Sequence, residues 1–229
     1  VFSFKQFTIH QDLCGMKVGT DGVLLGAWAS GKGLRILDIG TGTGLIALMM
    51  AQRFPQSQVT AIDIDANACQ QARENVQASP FFERIRVIES KIQDFKEGSY
   101  DTIVSNPPFF MDSLKNPDAA RLTARHTDEL PYQDLFISVK RLLTETGEFS
   151  AIIPSDYLER FITVSCISGF FISRRYGIRT VPKKAIKRYL LTFTKRQAEK
   201  TDYQEVTLMD KEGKRSEWYQ KLTDNFYIR

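Results

Sequence analysis

The 229-residue chain, 42% hydrophobic and with a formal net charge of +4, has the length and composition of one globular α/β domain with a full core. No apolar run reaches the roughly 18 to 20 residues of a membrane helix, and the N-terminus lacks the segments of a signal peptide, so a cytoplasmic protein without a membrane partner is expected. Cys14, Cys69 and Cys166 are odd in number, widely spaced and without a CxxC pair, which argues against a disulfide framework or a zinc site and predicts reduced, mostly buried thiols. His10 has no second ligand at a suitable spacing, so no metal is expected. The sequence opens on Val1 rather than Met, which leaves room for native residues ahead of it.

Along the chain, Val23 to Trp28 reads as an amphipathic helix capped by Thr20 or Asp21. Arg35 to Gly40 is a short apolar run ending in glycine, and Leu45 to Phe54 has a helical pattern, so the pair reads as strand, turn, helix. Val59 to Ile64, Ile85 to Glu89 and Asp101 to Ser105 follow as strands, with a helix near Asn67 to Ala78. After the Pro107-Pro108 break come a helix over Tyr132 to Leu143, a strand over Glu148 to Ile153 and a helix over Asp156 to Ser168. Phe171 to Thr180 and Ile186 to Lys195 read as two closing strands joined by a short turn. This alternation predicts a Rossmann-like α/β fold: a seven-stranded, mostly parallel sheet flanked by helices, with an antiparallel pair at one end. One domain over 1–229 is expected, with 201–229 as an appended ordered segment that buries Trp218, Tyr219, Leu222, Phe226 and Tyr227.

Charge is unevenly distributed. From Phe171 to Lys200 there are ten basic side chains and one acid, Glu199, while the remaining residues hold 21 basic and 26 acidic groups. Lys183, Lys184, Lys187 and Arg188 crowd the turn between the closing strands and are candidates for phosphate contacts; a solvated hairpin is the competing reading.

The turn after the first apolar strand, Asp38-Ile39-Gly40-Thr41-Gly42-Thr43-Gly44, lets the backbone turn sharply and lets a ligand approach main-chain atoms, as a nucleoside pocket requires. Asp63, ending the next strand, is placed to accept hydrogen bonds from both ribose hydroxyls of an adenosine. Gly42 to Ala47 also fits GxGxxA, which keeps an NAD-dependent oxidoreductase open. Asp38 disfavours it, because a carboxylate beside a pyrophosphate is repulsive, whereas S-adenosylmethionine is cationic at its sulfonium and ammonium and has no phosphate. Asp94, after the third strand, is a candidate for the cofactor's adenine amino group.

Asn106-Pro107-Pro108-Phe109 directly follows the fourth of these strands, on the sheet edge that holds the glycine turn. The amino nitrogen of adenine is a poor nucleophile because its lone pair is delocalised into the ring. The Asn106 side-chain oxygen and the Pro107 carbonyl can accept its two hydrogens and aim the lone pair at a methyl group. Pro108 helps hold that carbonyl outward, and Phe109 or Phe110 offers a ring for stacking.

These residues resemble the class I methyltransferase family, and Asn-Pro-Pro-Phe resembles the signature of its amino-methylating members. The resemblance implies a sheet of order 3-2-1-4-5-7-6 with strand 7 antiparallel. The motif recurs in adenine-N6 enzymes, in guanine-N2 ribosomal RNA enzymes and, with tyrosine in fourth place, in glutamine methyltransferases of release factors. Phe4 to Phe7, Lys17 to Ala29, Ala124-Arg125-His126 and the aromatic tail are similar to the bacterial tRNA1(Val) (adenine(37)-N6)-methyltransferase family over nearly the whole chain. That similarity implies a tRNA partner and a segment 1–30 that covers S-adenosylmethionine, with Thr20 and Asp21 at its methionine end. Arg125 and His126 are candidates for RNA contact, and a monomer is the favoured state.

Overall fold

A computed structural model describes residues 1–14, 17–108 and 131–228. Phe2–Ser3 (β1) and Thr8–Ile9 (β2) form a small antiparallel hairpin, followed by Thr20–Trp28 (α1). Then come Arg35–Ile39 (β3), Leu45–Arg53 (α2), Gln58–Asp63 (β4), Ala66–Gln77 (α3), Ile85–Glu89 (β5) and Tyr100–Ser105 (β6). The second half contains Tyr132–Leu142 (α4), Leu143–Pro154 (β7), Leu158–Ile167 (α5), Phe171–Arg179 (β8), Ile186–Thr194 (β9), Asp202–Thr207 (β10) and Glu217–Thr223 (α6).

The sheet runs β10-β8-β9-β7-β6-β3-β4-β5. Strands β3 to β7 are mutually parallel, and β9 is antiparallel to both β7 and β8. Counted from β3, the seven strands β3 to β9 stand in the order 3-2-1-4-5-7-6 with the seventh antiparallel, as the resemblance implies. The tail adds an eighth, β10, parallel to β8 at the sheet edge. Helices cover both faces, which is why β3 is buried from Ile36 to Ile39 instead of alternating. One core joins α1, α2 and the chain's first and last segments. The other is built on α4, α5 and a ring cluster in which Phe136 lies 4.9 to 5.6 Å from Phe149, Phe161, Phe170 and Phe193.

Several expectations need correction. α1 is not amphipathic: every residue from Gly22 to Trp28 is buried, and its N-cap is Gly19 with no side-chain cap bond. The helix is wedged against α2, where a Cβ on Gly26 would stand 2.7 Å from the Met49 sulfur. Strand β7 begins at Leu143, straight out of α4, and reaches its regular register through an irregularity opposite Tyr100 to Thr102. Of the three thiols Cys69 alone is buried; Cys14 is partly exposed and Cys166 exposed. Among the described residues no helix is long and apolar enough to cross a membrane.

The N-terminal segment is strapped to α3 by two buried amides. Asn75 accepts from the His10 N–H (2.8 Å) and donates to the carbonyls of His10 (2.8 Å) and Thr43 (2.9 Å), while Gln71 Oε1 accepts from the N–H groups of Asp12 (3.0 Å) and Leu13 (3.1 Å). At the other end, the Lys5 N–H donates to the Phe226 carbonyl at 2.8 Å, and Phe4 stacks on Tyr227.

Candidate active site

The C-terminal ends of the parallel strands open into a cavity of about 1060 Å³. Its walls come from residues 17–22, the turn after β3, the end of β4 (Asp63), residues 90–93 after β5, and Ser105, Asn106 and Pro108 after β6. A volume of this size exceeds the need of a nucleoside and leaves room for part of a second reactant.

The glycine turn is shaped by left-handed backbone at Gly40 (φ 71°), Gly42 (φ 54°) and Gly44 (φ 82°). Gly40 and Gly42 line the cavity, and a Cβ on either would meet no protein atom within 4 Å. Gly44 stands apart. It caps α2 and faces Ala72 of α3, where a Cβ would pack at 3.4 Å, so it serves helix packing and does not line the cavity.

Asp63 ties this turn to β4. Its Oδ2 accepts the Gly42 N–H at 2.8 Å and its Oδ1 the Asp65 N–H at 3.0 Å, while the carboxylate lines the cavity. Each oxygen keeps a lone pair for a further donor. Asp38 is fully buried beneath the turn and does not line the cavity. Its Oδ2 accepts the Thr41 hydroxyl at 2.6 Å, the Ala47 N–H in the first turn of α2 also favours the carboxylate, and Oδ1 meets no partner at full hydrogen-bond geometry among the described residues. Burial pushes the Asp38 carboxyl up to about 7, the Thr41 hydrogen bond opposing and the Asp63 charge adding to the rise. Asp38 therefore holds the turn from below, a correction to its expected place beside the ligand.

Asn106 begins the loop after β6, whose last residue, Ser105, donates its hydroxyl to the Ile39 carbonyl at 2.9 Å and so locks the two strand ends together. The Asn106 side-chain oxygen is buried without a hydrogen-bond partner among the described residues. Pro108 lines the cavity and is exposed, whereas Pro107 is buried. Phe109, Phe110, Arg125 and His126 lie outside the described residues.

Thr20 and Asp21 line the cavity as expected. Asp94 does not: it is exposed, and Ile92 and Gln93 take that stretch of wall. Arg188 stands apart from the lysines with which the sequence groups it. It lines the cavity and forms an ion pair with Asp21, so it is separated from Lys183, Lys184 and Lys187, which are exposed on and beside the turn. Burial raises the Asp21 carboxyl above its ordinary range, and Arg188 opposes the rise. The basic segment is split in this way throughout. Arg174 lies over Trp28 at 3.9 Å, Arg179 pairs with Glu205 at 2.7 Å and Lys195 with Glu145 at 3.0 Å. Sequence reasoning also missed Asp134, on the wall and 3.3 Å from Gln93, and the straps Gln71 and Asn75. The signal for the straps was two uncharged polar residues interleaved with Ala68, Ala72 and Val76 on one face of α3.

The residues fit S-adenosylmethionine. The glycine pair leaves open space where a ligand can approach backbone, Asp63 retains acceptor capacity, and the wall's four acids, Asp21, Asp63, Asp65 and Asp134, outnumber its three bases, Lys17, Lys91 and Arg188, which suits a cation. Fold and site together define a class I S-adenosylmethionine-dependent methyltransferase.

Comparison with known proteins agrees. The methyltransferase small domain family matches residues 18–155. A tRNA1(Val) (adenine(37)-N6)-methyltransferase of Phocaeicola vulgatus is 50% identical over 99% of this chain and 97% of its own. The protein of that name from Tolumonas auensis is 44% identical over 100% and 97%. Among solved structures, a predicted O-methyltransferase, protein Atu636, from Agrobacterium tumefaciens superposes with a TM-score of 0.70 at 16% identity, covering 90% of this chain and 96% of its own. A ribosomal protein L11 methylase from Lactobacillus delbrueckii gives 0.54 at 21% identity and 77% of each chain. The chain belongs to the methyltransferase small domain family and, within it, to the family of these curated relatives.

Proposed function

We propose that this enzyme methylates the exocyclic N6 amine of adenine in tRNA, at adenosine 37 of tRNA1(Val), the substrate that its relatives' names give. The observation that carries the reading is Asn106 Oδ1, a buried acceptor at the cavity wall without a partner among the described residues, one residue beyond β6 and beside the glycine turn. S-adenosylmethionine supplies an activated methyl group. Asp63 accepts the ribose hydroxyls, Gly40 and Gly42 admit the nucleoside against backbone, and residues 17–22 form the cover, with Thr20 and Asp21 at the amino-acid end. Asn106 Oδ1 and the Pro107 carbonyl accept the two amino hydrogens of the target base. This fixes the nitrogen with its lone pair directed at the methyl carbon, a positioning effect that needs no carboxylate base. The carbon–sulfur bond of the sulfonium would break to leave S-adenosylhomocysteine, and the extra proton would pass from the product nitrogen to solvent.

Lys183, Lys184 and Lys187 form the phosphate-tracking surface, on and beside the turn that leads into Arg188 at the cavity wall. A tRNA substrate places the activity in the cytoplasm. Methyl-labelled S-adenosylmethionine offered in turn with bulk tRNA, ribosomal RNA and a release factor tests this. Label should enter tRNA; label in ribosomal RNA or protein instead would assign the site to guanine-N2 or glutamine methylation.

A further inference from the structure

The Asp21–Arg188 pair joins two parts of the molecule with different tasks. Asp21 lies in the first turn of α1, inside the segment that walls the cavity. Arg188 lies near the start of β9. Because β9 is antiparallel, its start stands at the ligand edge of the sheet: Arg188 registers with Pro154 of β7, three residues beyond Ala151, which pairs with Ser105. Both side chains are about three-quarters covered, at 26% and 25% exposure, and both face the cavity. One residue before Arg188 is Lys187, which like Lys183 and Lys184 is exposed and makes no salt bridge to any described residue. The strand pairing accompanies the division: Ile186 registers with Arg179 and Arg188 with Ile178, so Lys187 is the extra residue of a bulge and is exposed, while Arg188 lines the cavity.

We propose that this ion pair makes cofactor affinity depend on RNA. Without RNA, the guanidinium occupies the Asp21 carboxylate and competes with the cationic amino end of S-adenosylmethionine for it. When RNA lies on the basic turn, a phosphate near the entering nucleotide draws Arg188 away, since guanidinium binds phosphate oxygens bidentately. The freed carboxylate then accepts the ligand's ammonium group. A partly desolvated carboxylate is poorly left alone, so exchanging one cation for another is favoured over releasing both. The inference rests on the reading of the basic turn as the RNA surface and of residues 17–22 as the cofactor wall.

Calorimetric titration with S-adenosylhomocysteine, which keeps the amino-acid end and cannot react, tests the link in the full-length chain with and without saturating unmodified tRNA. The wild type should bind it about tenfold more tightly with RNA present, within the usual span of coupling between sites, and by linkage S-adenosylhomocysteine should tighten RNA by the same factor. Arg188→Gln should bind S-adenosylhomocysteine without RNA as tightly as the wild type does with RNA, and gain nothing further from RNA. Asp21→Asn, of nearly unchanged volume, should bind weakly in both conditions. The link is overturned if the wild type binds RNA with no change in S-adenosylhomocysteine affinity, or if Arg188→Gln weakens S-adenosylhomocysteine in both conditions at an unchanged melting temperature, the mark of a fixed clamp. A Lys183→Ala/Lys184→Ala/Lys187→Ala variant separates the failures. If it keeps full RNA affinity, the surface reading falls and the link with it; if it loses RNA while the wild type shows no coupling, the link alone falls.

Discussion

Asn106→Ala removes a side chain whose oxygen is already desolvated and makes no hydrogen bond to any described residue. Chemistry and stability should therefore move independently. In the transition state the lost atom is one preorganised acceptor, worth about 3 to 4 kcal/mol, so methyl transfer should slow roughly a hundredfold to a thousandfold. Stability should not fall with it: a buried acceptor left unsatisfied costs the fold about 1 to 3 kcal/mol, and its removal relieves that cost. The alanine opens onto the cavity that Asn106 already lines, so it leaves no sealed void. Single-turnover transfer from labelled S-adenosylmethionine to tRNA measures the first effect, and thermal melting without ligand the second. S-adenosylhomocysteine affinity should change little. Near-normal transfer by the folded variant, or a melting temperature several degrees lower with equal loss of ligand binding, would refute the assigned role.

Asp63→Asn should damage both the fold and the ligand site, because an amide must turn its NH2 toward either the Gly42 or the Asp65 N–H that the carboxylate now accepts. An unpaired donor of this kind costs about 1 to 3 kcal/mol, so calorimetry should show weaker S-adenosylhomocysteine binding together with a lower melting temperature; loss of one alone would contradict the double role. For Asp38, held at about 7, the unfolded chain gives up the proton near pH 4 while the folded protein keeps it to about pH 7. The contribution of this group is thus full below pH 4 and lost as pH rises through 7. Asp38→Asn, which keeps an oxygen for Thr41, should be more stable than wild type at pH 8, on the order of a few kcal/mol, and about equal near pH 4; parallel melting curves across that range would dispose of the idea. For the Lys183→Ala/Lys184→Ala/Lys187→Ala variant, filter binding over a salt series should show the logarithmic slope shallower by about 2 if three phosphate contacts to single-stranded RNA are lost. An unchanged slope would return these lysines to the role of a solvated hairpin.

The fold was legible wherever local pattern and tertiary demand agree. β3 to β6 are short apolar runs bounded by turn residues, and the glycines after β3 announce the ligand edge without any partner being known. Asn106 could be placed because it follows a strand directly. What stayed hidden depended on distant partners. Arg188 looks like its lysine neighbours until the antiparallel β9 is found to start at the ligand edge, with Lys187 in a bulge and Arg188 paired to Asp21. Asp63 ends a strand and Asp94 follows one, and the course of the loop, not residue type, keeps Asp94 out of the cavity. Asp38 reads as a ligand contact because it adjoins the glycines; its burial under Thr41 is a matter of strand pleat. β10 escaped because its residues, Asp202 to Thr207, are mostly polar and exposed at the edge, with no apolar face to mark them.

The edge formed by Asn106 to Pro108 is assigned one chemical task, delivery of a methyl group to the N6 amine of one adenine in tRNA. Nucleoside mass spectrometry of a tRNA1(Val) transcript after incubation with enzyme and labelled S-adenosylmethionine tests it most directly, with a second transcript carrying guanosine at position 37. Labelled N6-methyladenosine should come from the first transcript and no labelled nucleoside from the second. Labelled N2-methylguanosine from either, or equal N6-methyladenosine from both, would contradict it.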